Sequence, residues 1–452
     1  METGLQKKYG LLTAIAMVVG IVVGSGVFFK AEKILSCTGG DLKLGILAWI
    51  IGGIIMIACS YAFAIMATKY EKVNGLVDYA EATMGPKYAY IIGWFMSIIY
   101  LPALTSVLAW VSARYTCVLF GVEDITGGIC MTIACFYLIC AYALNALSPV
   151  LAGKFQVTTT AIKLIPLILM AIVGTIFGLK TGMSAYNFTT IVNEVEPGSA
   201  LLTAVVATAF AYEGWIVATS INAELRDSKK NLPRALLGGA FIIMSVYILY
   251  YIGLSGAVTN ETLMADGQAG AHTAFSTVFG NIGGTLIFVF VIISCLGTEN
   301  GLMLGCTRGI HALSARNAGP NPKVFGEIST TTNMPYNASI LGLLLCGFWL
   351  LYFYGANLTA PWFGMFSFDS SEIPIVALYA MYIPIFFKMM KEKDLPVFKR
   401  IIAPAAAICG SVFMVYAAFV AHGIKTVMGF IILFAVVTLI GLVWYRPNGS
   451  KS

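Results

Sequence analysis

Long apolar runs recur along this chain, separated by short polar stretches, and a bilayer crossing needs about 20 apolar residues. Twelve runs meet that length, over roughly 10–35, 43–68, 88–120, 128–147, 154–178, 199–223, 234–258, 280–313, 337–355, 362–387, 401–422 and 424–445. The pattern predicts an all-α integral membrane protein with twelve transmembrane helices. The longest polar stretches, 181–198, 259–279 and 314–336, are each too short to bury a core of their own. Any function therefore sits among the helices, which excludes a membrane-anchored soluble enzyme.

Composition agrees. Only 11% of the 452 residues are charged and 59% are hydrophobic, against about 25% charged in a soluble globule. Disorder, nucleic-acid binding through a basic surface and a secreted disulfide scaffold are excluded, since the net charge of +6 is scattered. The ten cysteines lie mostly inside apolar runs without a C-x-x-C pair, and His272, His311 and His422 have no ligand spacing, so no metal or cofactor is expected. The first run follows Lys7 and Lys8, as in a signal peptide, but has no small-residue cleavage site and reads as a span.

Orientation follows from Lys and Arg in alternate loops. With the N-terminus inside, 20 basic residues fall on the inner side, from Lys7 and Lys8 through Lys72 to Lys451, and 6 on the outer side. Lys30 and Lys33 belong to the outer six, and only Lys163 of the 27 is left in the membrane. A multi-pass cell-membrane protein with both termini cytoplasmic is expected.

Two spans carry interruptions. In the first, Gly24-Ser25-Gly26 cluster midway, which suits a backbone break better than a packing stripe spaced by four, whereas Gly20 alone suits packing. In the sixth, Glu213 and Gly214 lie within Phe210-Ala211-Tyr212-Glu213-Gly214-Trp215, and a carboxylate at that depth marks a functional site. Spans one and six each open a five-helix unit, as in inverted repeats with broken first helices. A freed helix N-terminus offers amides to an anion and a freed C-terminus offers carbonyls to a cation. Together they fit a zwitterion such as an α-amino acid.

Gly24-Ser25-Gly26-Val27-Phe28, Phe210 to Trp215, Asn231-Leu232-Pro233-Arg234 and Ser294-Cys295-Leu296-Gly297 with Asn300-Gly301 resemble the L-amino-acid transporter family. This is a branch of the amino-acid/polyamine/organocation superfamily. The resemblance implies a five-plus-five inverted repeat with broken helices 1 and 6, divided as 1–180, 181–392 and a final pair of helices over 393–452. It implies a sodium-independent exchanger and not an enzyme. Amides of Ser25, Gly26 and Val27 would hold the substrate carboxylate, and carbonyls of Val22, Phe210 and Glu213 the ammonium. Gly24 and Ala211 complete the two breaks, and Phe210 would also serve as a lid. Lys163, about ten residues or 15 Å from the start of its span, is too deep to snorkel; the family places a lysine there as a substitute for sodium, bridging helices one and eight.

The remaining acids bear on substrate and coupling. Glu299 departs from the family pattern, with a local partner and a coupling or gating role both open. Asp369 and Glu372 fall near the start or middle of the tenth span, where a solvated outer loop is equally open. An acid at Glu213 suits a basic side chain, while Thr105 and Ser106 in the third span suit small substrates. Tyr100-Leu101-Pro102 predicts a kink in that span. The leading expectation is exchange of small neutral L-amino acids, with basic amino acids or amines, or proton-coupled symport, as alternatives. Animal relatives pair with a glycoprotein through a cysteine in the second outer loop. The 121–127 loop has none, so no obligatory partner subunit is expected.

Overall fold

The structure, a computed structural model, describes residues 10–70, 75–218, 225–331, 334–358 and 360–446. Lys7, Lys8, Lys72 and Lys451 of the orientation count lie outside them, as does the end of the sixth span. The elements are α1 (Leu11–Val22), α2 (Gly26–Cys37), α3 (Leu42–Tyr70), α4 (Leu76–Met84), α5 (Pro86–Leu119), α6 (Gly128–Leu147) and α7 (Val150–Thr181). They continue with α8 (Met183–Thr189), α9 (Pro197–Ala211), α10 (Trp215–Ala218), α11 (Ser228–Ala257), α12 (Asn260–Asp266) and α13 (Gln268–Ser314). The chain closes with α14 (Pro322–Phe325), α15 (Tyr336–Ala356), α16 (Ile373–Met389) and α17 (Phe398–Val443). No β-strand occurs among the described residues.

These elements resolve into twelve crossings. Eight helices are long and apolar enough to span, and α1 with α2 forms one further span bent by 57°. The shorter apolar helices α9 and α16 add two. The 46 residues of α17 would extend roughly 69 Å at about 1.5 Å per residue, more than twice a hydrocarbon core of about 30 Å. Gly423, at φ 75° and ψ 154°, divides α17 into the eleventh and twelfth crossings.

Two features differ from the hydropathy reading. The 259–279 stretch is not a loop: Thr259 caps α12 by accepting the Thr262 amide, and residues 268–279 form the first arm of α13 before the turn at Gly280. The tenth span begins at Ile373 rather than near 362, because Glu372 and Pro374 set the start of α16. At the exposed start of α9, Glu196 accepts from the Gly198 and Ser199 amides, and these bonds keep its carboxyl below the usual range.

Close backbone approach fixes several crossings. A Cβ on Gly253 would lie 2.1 Å from the Met170 carbonyl oxygen, and one on Gly178 would lie 2.4 Å from the Gly256 Cα, so α11 and α7 meet backbone to backbone. A π-helical turn over Met170–Gly174 accompanies this contact, and another over Met96–Tyr100 precedes Pro102 at the predicted bend of α5. Large apolar side chains such as Phe136 and Ile139 on α6 and Leu439 and Val443 on α17 are exposed, as on a lipid-facing rim.

Candidate functional site

The helix ends at Val22, where the Val23 amide donates to the Val19 carbonyl, and α2 resumes at Gly26. The second break follows Ala211, and Gly214, at φ 102°, supplies the left-handed conformation that its turn needs. The two breaks touch. A Cβ on Gly26 would lie 2.7 Å from the Ala211 Cα and 3.0 Å from the Phe210 ring, so only glycine fits there. The α1 and α9 carbonyl ends and the α2 amide end thus converge.

They border a cavity of about 710 Å³. Val22, Gly24, Ser25, Gly26, Phe210, Ala211, Glu213 and Lys163 all line it. The cavity continues along α1 to Thr13 and along α7 to Val157, both exposed, whereas Phe210, 8% exposed, packs on Phe29 of α2, on the far side of the break from Thr13, with ring centroids 5.0 Å apart. Val27 is fully buried in the core of α2 and is not among the lining residues. The Ser25 hydroxyl is buried, and neither it nor the Oε1 of Glu213 has a hydrogen-bond partner among the described residues.

Lys163 interrupts the helical ladder of α7, and its ammonium donates to the Gly20 carbonyl at 2.6 Å. This hydrogen bond joins α7 to α1; the expected link on to the eighth span, α13, is not among the hydrogen bonds of the described residues. Instead, α13 approaches through Thr298, whose hydroxyl oxygen would lie 3.1 Å from a Cβ on Gly24. Glu299 turns away from the cavity; it is 1% exposed, and neither of its oxygens has a hydrogen-bond partner among the described residues.

Thr105 and Ser106 do not line the cavity. Their hydroxyls donate back along α5 to the Leu101 and Ala103 carbonyls at 2.7 Å, so this face is formed by Tyr100, Leu101, Leu104 and Leu108. Asp369 and Glu372 are ion-paired rather than free in a loop, with Asp369 partly buried against Lys33. Glu372 is 1% exposed and paired with Lys30 and Lys33.

One residue that sequence reasoning missed joins the breaks. The buried Tyr247 hydroxyl of α11 lies 3.3 Å from the Val22 carbonyl and 3.1 Å from the Ala211 carbonyl, so one donor serves both freed helix ends. Tyr247 stands with Tyr250 and Tyr251 in one apolar run and nothing in that run singles it out; only the crossing of α11 over both breaks does.

A family model described as amino acid permease matches residues 9–449. The chain is 31% identical over 386 residues to the serine/threonine exchanger SteT of Bacillus subtilis, covering 85% of this chain and 83% of that protein. It is 28% identical to the mouse b(0,+)-type amino acid transporter 1, over 75% of this chain and 68% of that one. It is 23% identical to the human cystine/glutamate transporter, over 75% and 66%. With twelve crossings, two facing helix breaks and a match along nearly its whole length, the chain belongs to the amino acid permease family, multi-pass membrane proteins that are transporters and not enzymes.

Proposed function

We propose that this protein is a sodium-independent amino-acid exchanger that works by alternating access, with small neutral L-amino acids (alanine, serine, threonine, cysteine) as its substrates. The observation that carries this reading is the convergence of the two breaks on one cavity, with Gly26 against Ala211. An amide end and two carbonyl ends at one place match the carboxylate and ammonium of an α-amino acid. The similarity to a serine/threonine exchanger supports the substrate class.

In this reading the Ser25 and Gly26 amides hold the carboxylate, and the carbonyls of Val22, Phe210 and Glu213 hold the ammonium. The Val27 amide would contribute through its backbone, its side chain being in the core. Phe210 covers the substrate from the outer side while the passage past Thr13 and Val157 leads inward. The Lys163 ammonium on the Gly20 carbonyl replaces a bound cation, which makes transport independent of sodium. Glu299 contributes to coupling from outside the cavity. The inverted units run over 1–180 and 181–392, with 393–452 added to them. The protein lies in the cell membrane with both termini cytoplasmic and works without an obligatory partner subunit.

A second reading, exchange of basic amino acids or amines, is favoured by the Glu213 carboxyl on the cavity, whose Oε1 has no hydrogen-bond partner among the described residues. A competition panel against labelled serine uptake, with small neutral, large neutral and basic amino acids and diamines, separates them. Alanine, threonine and cysteine are expected to compete best; stronger competition by arginine or a diamine would assign the site to cationic substrates.

A further inference from the structure

Beyond Phe210, away from the exposed mouth of the cavity, lies a cluster of charges around the buried pair Lys30 and Glu372, with Lys33 and Asp369 partly exposed at its rim. Lys30 of α2 is 1% exposed, and its ammonium donates to Glu372 Oε1 at 2.5 Å and to Ser371 Oγ at 2.9 Å. The same ammonium lies 5.3 Å from the Phe29 ring centroid and 5.8 Å from that of Phe210. One cation thus touches both the carboxylate at the start of α16 and a ring that lines the cavity.

The surroundings reinforce this contact. Lys33, one turn along α2, pairs with Asp369 at 2.7 Å and Glu372 at 2.6 Å. His422 Nε2, just before the Gly423 turn of α17, lies 3.1 Å from Glu372 Oε2. Asp369 is held in turn by the Ser371 amide at 2.8 Å. Two lysines face two carboxylates, so the cluster balances its charge. A buried lysine in a membrane protein persists only where it is paired, and a cation over aromatic faces is attracted to them. Removing one partner of such a buried pair is far more disruptive than breaking an exposed one.

We propose that Lys30 is a positioning residue: held by Glu372, it fixes Phe210 across the outer end of the cavity and ties α2 to α16 and α17. The outer passage then opens only when α2 carries Lys30 away from Glu372. This rests on the alternating-access reading and names the contact that sets its outer closure.

The test uses the full chain in intact cells, with Leu104→Cys as a reporter in the cavity and Cys37, Cys135, Cys140 and Cys409 replaced by serine. A membrane-impermeant thiol reagent is added outside, the side on which the basic-residue count places Lys30. Lys30→Met and Glu372→Gln are expected to raise the labelling rate by about tenfold or more, as expected when a closed state loses its bias. Lys30→Arg, which keeps the cation, is expected to stay near the parent rate. Phe210→Ala shows that the reporter can be reached. Parent-like labelling in Lys30→Met alongside fast labelling in Phe210→Ala would overturn the proposal, as would fast labelling in Lys30→Arg. If Lys30→Met does not reach the membrane, Glu372→Gln gives the same two outcomes. Labelling needs no transported substrate, so a failed exchanger reading appears in uptake and a failed lock appears here.

Discussion

The Lys163 ammonium donates to the Gly20 carbonyl at 2.6 Å, one turn before the first helix breaks. A cation on α7 therefore neutralises the negative end of α1, the half-helix that lines the open side of the cavity. Lys163→Ala is expected to lower exchange turnover by about tenfold or more while changing the half-saturating substrate concentration much less, the signature of a lost conformational coupling rather than a lost ligand. Proteoliposome kinetics on the purified variant checks it. Wild-type turnover would remove Lys163 from the mechanism.

Gly26 sits where a side chain would meet Ala211 and Phe210 at 2.7 and 3.0 Å. Gly26→Val pushes the breaks apart and covers the exposed amide, so substrate binding measured by calorimetry or scintillation proximity is expected to be abolished. Binding at wild-type affinity would take this turn out of the site.

The contact of Gly253 with the Met170 carbonyl makes a stability prediction independent of function. Gly253→Ala forces α11 off α7 and is expected to cost about 1–3 kcal/mol, the usual range for an overpacked core. A lowered unfolding midpoint in detergent checks it. Gly128→Ala, where nothing lies within 4 Å of the added Cβ, is the control expected to stay near wild type.

Glu299 is a buried carboxyl with neither oxygen partnered among the described residues. Replacing an unsatisfied buried polar group by an apolar one removes a penalty of about 1–3 kcal/mol. Glu299→Leu is therefore expected to raise the unfolding midpoint in detergent, and to slow exchange under the coupling role proposed for it. A lowered midpoint would mean that the carboxyl is satisfied in the membrane-embedded protein.

The spans were legible because a chain in lipid must satisfy its own backbone, which forces long apolar helices. The breaks were legible because Gly24-Ser25-Gly26 and Gly214 stand out against those runs. Residues 260–279 were not, since Asn260, Thr262, Asp266, Gln268 and His272 give a helical segment the polarity of a loop. Thr105 and Ser106 misled because a hydroxyl in a helix can turn back to its own backbone. The Lys30–Glu372 pair is 342 positions apart in the chain, so each residue reads alone as an outer-surface charge. What folding adds is the meeting of those charges and the reach of Tyr247 across both breaks.

Counterflow in proteoliposomes tests the exchanger account most directly: uptake of labelled serine with and without internal amino acid, each in sodium and in a sodium-free medium. Uptake is expected to depend on internal substrate and to stay unchanged when sodium is removed. Uptake that requires sodium and ignores internal substrate would contradict it.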